Sequence, residues 1–230
     1  TKAIAVTVTA VNDNTPVITS GATANVAENT TAVMTVTATD ADLPAQTLTY
    51  SIVGGADAAK FAINASTGAL SFATAPDYEA PTDVGSNNVY DVTVQASDGT
   101  LSSTKAIAVT VTAVNDNTPV ITSAATASVA ENTTAVMTVT ATDSDQPAQT
   151  LSFSIAGGAD AAKFTINAST GALSFISAPD FETPTDAGGN NIYDVTVQVS
   201  DGQGSTDSEA IAVTVTSAND NAPVITSGAT

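Results

Sequence analysis

Apolar and polar residues alternate with period two along most of this chain, and helical periodicity is almost absent. Ile107, Val109 and Val111 alternate with Ala108, Thr110 and Thr112, the pattern of a strand with one buried face. Met34, Val36 and Ala38 alternate with Thr35, Thr37 and Thr39, and Val92 and Val94 alternate with Thr93 and Gln95. Threonine suits the outer face because a β-branched side chain tolerates the pleated surface. Turn signals divide residues 16–114 into seven predicted strands, at roughly 16–26, 31–39, 47–53, 60–64, 69–73, 88–97 and 104–114. Asn64 to Gly68 (NASTG) reads as a hairpin turn in which Gly68 supplies a positive φ. GGADAAKF predicts a loop with one helical turn, capped by Asp57. APDYEAPTDVGSNN, with two prolines and Asn87-Asn88, predicts a long crossover between sheets. Phe61, Phe72 and Tyr90, with Phe164, Phe175 and Tyr193, are the large core candidates.

The pattern then repeats. TKAIAVTVTAVNDNTPVITS begins at Thr1 and returns letter for letter at Thr104, and a looser copy begins at Glu209. A period near 100 residues matches one small domain per repeat rather than a solenoid turn. The expected organisation is a last strand and linker of a preceding, truncated repeat at 1–14, full repeats at 15–117 and 118–221, and the start of another at 222–230. On this reading the chain is a fragment of a longer array, and residues 1–11 are disordered or pair with a neighbouring chain. Seven short strands per repeat predict an all-β fold of tandem seven-stranded Greek-key β-sandwiches of the immunoglobulin-like kind.

Charge narrows the function. Four Lys, no Arg and no His stand against 23 acidic residues, a formal net charge of −19. That excludes a phosphate-binding surface for nucleic acid and argues against an anionic membrane partner. Cysteine is absent, which removes disulfides, zinc thiolates and a thiol nucleophile. No apolar run is long enough for a spanning helix, so no membrane insertion is expected.

The acids fall at strand ends rather than on strand faces, in five motifs that recur with the repeat. Glu28-Asn29 returns as Glu131-Asn132, and Asp40-x-Asp42 as Asp143-x-Asp145. Asp77-x-Glu79 returns as Asp180-x-Glu182, and Asp98 as Asp201. The fifth, Asn12-Asp13-Asn14, returns at Asn115-Asp116-Asn117 and again at Asn219-Asp220-Asn221, each time shortly before a proline. Outside these motifs, Asp57, Asp91, Asp160, Asp194, Asp207 and Glu209 read as solvated surface or caps.

Five motifs in this order, twice over, resemble cadherin repeats across both full units. The resemblance implies cadherin-type sandwiches with about three Ca2+ ions between successive domains. It implies that Glu28, Asp77, Glu79 and Asp116 surround a first ion. Glu28, Glu79, Asp116, Asp145 and the Val114 carbonyl would surround a second. Asn117, Asp143, Asp145, Asp201, the Asn115 carbonyl and a carbonyl near Ala148 or Gln149 would surround a third. Partial sets would remain at both ends: Asn12, Asp13, Asn14, Asp40, Asp42 and Asp98 at one, Glu131, Asp180, Glu182 and Asp220 at the other. Two departures from the family pattern are Ala113 in place of an Asp before the Asn-Asp-Asn, and the loss of a loop Asn after Asp-x-Asp.

Elementary electrostatics agrees. Calcium takes six to eight hard oxygens, and the seven carboxylates of one such junction against six positive charges nearly cancel. Without a cation, two carboxylates about 5 Å apart repel by about 3 kcal/mol at an effective dielectric near 20. Seven are not expected to stay clustered, so calcium removal should loosen the linker.

These features predict an extracellular, calcium-rigidified stalk or adhesin whose partners are neighbouring repeats of the same chain. Its Ala- and Thr-rich, Arg-free composition suggests a bacterial cell-surface adhesin. The alternative is a directly adhesive module, with homophilic contacts or polysaccharide as partner and Tyr78 or Phe181 as the aromatic candidate. An enzyme is not expected: His, Cys and Arg are missing, and the recurrent acids are taken by metal.

Overall fold

The computed structural model describes residues 1–224, so the last six residues of the predicted segment 222–230 lie outside the described part. Two compact units follow one another, Thr1–Val114 and a second from Asn115 onward. The first contains β1 (Val17–Ile18), β2 (Thr23–Ala27), β3 (Ala32–Thr35), β4 (Ala38–Thr39), β5 (Thr49–Gly54), β6 (Phe61–Ile63), β7 (Ala69–Phe72), β8 (Val89–Ser97) and β9 (Ser102–Thr112). One sheet has the order β2-β9-β8-β5, with β2 parallel to β9 and the other neighbours antiparallel. Facing it are the three strands β3-β7-β6 and the short pair β1-β4. The second unit repeats this plan in β10 (Val120–Ile121), β11 (Thr126–Ala130), β12 (Ala135–Thr138), β13 (Ala141–Thr142), β14 (Ser152–Gly157), β15 (Phe164–Ile166), β16 (Ala172–Phe175), β17 (Ile192–Ser200) and β18 (Thr206–Thr216). The fold is all-β, with a sandwich in each unit. Residues 1–11 are exposed and join no sheet.

Nine short strands cover the seven predicted segments because two of these are interrupted. The segment 16–26 changes sheets: β1 pairs with β4, the Thr19 and Ser20 N–H groups turn to the Thr37 carbonyl, and β2 then pairs with β9. The segment 31–39 breaks at Val36, whose N–H donates to the Gly68 carbonyl at 2.8 Å. Gly68 has φ 71°, and a Cβ there would lie 2.1 Å from the Val36 oxygen, so the turn needs glycine as the sequence suggested. Asn64 Oδ1 closes that turn by accepting the N–H groups of Ser66 and Thr67 at 3.0 Å each.

The predicted alternation is the observed one. Val92, Val94, Ile107, Val109 and Val111 all point into the core between the sheets. Phe61 stacks on Phe72 with centroids 4.6 Å apart, and Tyr90 meets Phe72 edge-on at 5.1 Å. The second unit has the same triad in Phe164, Phe175 and Tyr193. Both tyrosines keep a polar contact in their buried setting, since Thr82 N–H donates to Tyr90 Oη and Thr185 N–H to Tyr193 Oη.

Three of the acids read as surface or caps are engaged in the fold. A 3₁₀ turn does form at Ala58–Lys60, but Asp57 makes no side-chain cap. It is buried, and its carboxylate accepts Val84 N–H at 2.8 Å and Asp91 N–H at 2.9 Å, stapling the crossover to β8. Asp160 does the same through Ala187 and Asp194. Asp207 is half-buried and accepts Ile121 N–H at 2.9 Å. Desolvating a carboxylate is tolerable only with such donors, and each of these has found main-chain N–H groups.

Candidate metal centre

The last strand of each sandwich separates two groups of acids. β9 starts just after Asp98 and ends just before Val114, so the residues near Asp98 and those near Glu28 and Val114 occupy opposite ends of the unit. The same holds in the second unit for Asp201 and for Glu131 with Ala218.

At the glutamate end, Asn29 takes φ 61°, a left-handed turn that Asn accepts more readily than most residues, and leaves Glu28 facing inward. Glu28 is only 2% exposed. Its Oε1 accepts Val114 N–H at 2.7 Å and its Oε2 accepts Tyr78 N–H at 2.6 Å. Glu131 accepts Ala218 and Phe181 N–H at 2.6 and 2.8 Å. Asp77 is exposed and closes its own turn by accepting the N–H groups of Glu79 and Ala80; Asp180 does likewise with Glu182 and Thr183. Carboxylate oxygens of Glu131, Asp180 and Glu182 all lie within 4.8 Å of one another. Asp220 is exposed and accepts Asn132 Nδ2 at 2.6 Å.

At the aspartate end of the first unit, oxygens of Asp40, Asp42 and Asp98 lie within 4.8 Å of one another. Asp42 is buried and accepts both the main-chain and side-chain N–H groups of Asn14. Asp42 N–H in turn donates to Asp40 Oδ1 at 3.0 Å. Asp98 accepts Thr100 and Leu101 N–H at 2.6 and 2.7 Å. The Asn12 side-chain NH2 donates to the carboxylates of Asp42 and Asp98 at 3.0 Å each. Asp13 is exposed, touching Asn14 Nδ2 at 3.2 Å.

In the second unit Asp145, 1% exposed, accepts Asn117 N–H at 3.1 Å and Asn117 Nδ2 at 2.9 Å. Asp145 N–H donates to Asp143 Oδ1, and Asn115 Nδ2 donates to Asp201 Oδ2 at 3.0 Å. Asp116 is exposed, and its Oδ1 accepts Asn117 Nδ2 at 3.0 Å. Four of these carboxyls have their pKa lowered by such contacts. The Asn14 amide keeps Asp42 below its ordinary value despite burial. Asp98 is lowered chiefly by Thr100 N–H, and Asp201 chiefly by the Asn115 amide. For Asp145 burial pushes upward, and the Asn117 donors with Asp116 N–H outweigh it.

The aspartate ends also carry oxygens that nothing satisfies. Asp40 Oδ2 and Asp143 Oδ2 are buried with no hydrogen-bond partner among the described residues. A buried carboxylate oxygen without a donor, recurring at the same place in both units, fits a hard divalent cation held by oxygens. The sequence reading placed these residues correctly at strand ends but missed the side chains of Gln46 and Gln149. Their oxygens are in the same unpartnered state, and their recurrence four residues after Asp-x-Asp was the available signal. It also missed Asp83 and Asp186, buried acids that organise the crossover through three and two main-chain N–H groups respectively.

Comparison with known proteins follows the same lines. The cadherin domain pattern matches residues 22–112 and 125–216. Human protocadherin Fat 1 is 35% identical over 246 residues, covering 99% of this chain and 5% of that protein. Chimpanzee protocadherin gamma-A6 is 37% identical over 152 residues, covering 61% of this chain and 16% of that protein. The chain therefore spans a small part of these relatives. Among solved structures, mouse cadherin-23 EC22-24 superposes with a TM-score of 0.65 at 25% identity, covering 91% of this chain and 67% of that one. Human protocadherin-24 EC1-2 gives 0.68 at 20% identity, covering 90% of this chain and all of that one, a likeness of fold. These relatives are animal proteins, and they lend no support to the bacterial origin suggested by composition. With both repeats matched from β2 to β9 and from β11 to β18, the chain belongs to the cadherin domain family.

Proposed function

We propose that these two domains form part of an extracellular cell-adhesion array in which calcium joins consecutive repeats and stiffens the chain. The observation that carries this reading is the buried, unpartnered oxygen that recurs in the two Asp-x-Asp pairs, Asp40 Oδ2 and Asp143 Oδ2. Glu28, Asp77, Glu79 and the Val114 carbonyl of one repeat would share ions with Asn115, Asp116, Asn117, Asp143, Asp145 and Asp201 of the next. Asn12, Asn14, Asp40, Asp42 and Asp98 would serve a preceding repeat, with Asp13 beside them. Glu131, Asp180, Glu182 and Asp220 would serve a following one. Bound calcium supplies positive charge and a many-oxygen coordination shell. The residues supply position: Asn14 and Asn117 orient Asp42 and Asp145, and main-chain N–H groups fix Glu28 and Glu131.

Calorimetric titration of the chain with CaCl2 should show binding at about 10⁻⁴–10⁻³ M, the range of extracellular modules. Asp116→Ala should remove a class of sites, and small-angle scattering should show a less extended chain after chelation. No heat at millimolar calcium would sink the reading. A second reading, direct adhesion to a like chain, draws on a relative: the protocadherin gammaB7 EC3-6 structure is described as a cis-dimer. Polysaccharide binding is less favoured, since every Phe and Tyr is buried or half-buried and Tyr78 and Phe181 pack against the cores. A calcium-dependent dimer in sedimentation would bring the like-chain reading forward.

A further inference from the structure

The segments Pro44-Ala45-Gln46-Thr47 and Pro147-Ala148-Gln149-Thr150 follow the two Asp-x-Asp pairs at the same distance. The Gln149 side chain lies inside the aspartate-end donor set. Its Nε2 donates to Asn115 Oδ1 and, at 3.4 Å, to Asp145 Oδ2. Its Oε1 is buried and has no hydrogen-bond partner among the described residues, and the Oε1 of Gln46 is in the same condition. A long polar side chain on a loop can turn its oxygen to water at little cost, so a buried acceptor without a donor calls for an explanation. The same atom is left over at the same position in both units, each time with an unpartnered Asp oxygen, Asp40 Oδ2 or Asp143 Oδ2. Bracing Asn115 and Asp145 explains the Nε2 of Gln149 and leaves its oxygen unaccounted for.

We propose that Gln46 and Gln149 are calcium ligands through their side-chain Oε1 atoms. They take the place that the sequence reading gave to a main-chain carbonyl near Ala148 or Gln149. This rests on the calcium reading above. Chemistry favours a neutral donor here. Seven carboxylates already exceed the charge of three ions, so another oxygen without charge raises coordination number and adds no repulsion.

The test separates ligand from brace and both from the parent reading. The whole chain is titrated with CaCl2 by calorimetry as wild type, Gln149→Leu and Gln149→Glu, and the Gln side-chain ¹³Cδ resonances are followed by NMR. Glutamate keeps an oxygen donor but cannot donate to Asn115. A ligand role predicts that Gln149→Leu weakens one class of sites about tenfold, that Gln149→Glu recovers most of the loss, and that the Gln46 and Gln149 ¹³Cδ signals move on saturation. Two results overturn the proposal while leaving calcium binding intact: wild-type affinity in Gln149→Leu with unmoved ¹³Cδ signals, or equal loss in the Leu and Glu variants. Absence of binding by the wild type overturns the parent reading instead. Gln46→Leu in the first unit gives the same discrimination should Gln149→Leu fail to fold.

Discussion

Glu28 and Glu131, at one end of each sandwich, and Asp40 and Asp143, at the other, are held in different conditions. At the glutamate end Glu28 and Glu131 are each 2% exposed, yet every oxygen they bury accepts a main-chain N–H. These bonds join the crossover, at Tyr78 or Phe181, to the segment leaving the last strand, at Val114 or Ala218. At the aspartate end the donors are mostly Asn and Gln amides or the N–H groups of tight loops, and one oxygen each of Asp40 and Asp143 receives nothing. Burial of an acid therefore does not by itself mark a ligand. A fully satisfied buried carboxylate belongs to the fold whatever else it does, whereas an unsatisfied one is the better candidate for a metal ligand.

The largest expected effect tests the first half of that contrast. Glu131→Ala leaves the Phe181 and Ala218 N–H groups without acceptors, each worth about 1–3 kcal/mol when buried. Urea unfolding of the chain in excess chelator should lose about 3 kcal/mol in the transition of the second unit. Asp143→Asn tests the other half, because it alters an oxygen that nothing in the protein uses. Its metal-free stability should stay within about 0.5 kcal/mol of wild type, and its calcium affinity should fall about tenfold. An exchange of the two outcomes would erase the distinction between the ends.

Acid gives a smaller effect, which falls on the aspartate ends and, in the second unit, also on the crossover acid Asp186. Asp42, Asp98, Asp145 and Asp201 have folded pKa values below the ordinary 3.8. For a depressed carboxyl, the stabilising difference is fully present above the unfolded value. It is lost as pH falls through the folded one. In chelator the Asn14 and Asn117 side-chain amide signals should thus hold their positions at neutral pH and shift toward free values only below about pH 4. Movement of these signals between pH 7 and 5 would contradict the assignment of Asn14 and Asn117 as donors to ionised aspartates.

Much of this was legible in the chain. Period-two alternation named Ile107, Val109 and Val111 as inward residues, and Gly68 announced a turn that no Cβ fits. What stayed hidden depends on contacts made across long sequence separations. The sheet switch within 16–26 exists because β1 and β2 find different partners, β4 and β9, and nothing local distinguishes the two halves. Asp57 looked like a cap because its donors, Val84 and Asp91, are far along the chain. Asp83 was more readable: Asp followed by Gly and two Asn is a turn signal, and its carboxylate collects the N–H groups of Gly85, Asn87 and Asn88. The expected mutual repulsion of clustered acids left out the amides. Asn and Gln within the same motifs supply donors that offset part of it inside each unit.

The near-identity of the repeats permits one finer test at the aspartate end, where the last strand begins. In the first unit Lys105 Nζ reaches the Ser20 carbonyl, bracing the segment between β1 and β2 against β9. The second unit has Glu209 at the matching position, and there Asp207 accepts Ile121 N–H at 2.9 Å. A cation on a carbonyl has given way to an anion on an amide, so the brace persists while its charge is reversed. Neither residue belongs to the proposed ion sites, and the brace should hold without metal. Lys105→Ala and Asp207→Ala should each lower chelated-state stability by about 1 kcal/mol, the net worth of one hydrogen bond, with the calcium isotherm unchanged. A change in affinity would extend the proposed metal-dependent region beyond the unsatisfied oxygens into the strand itself.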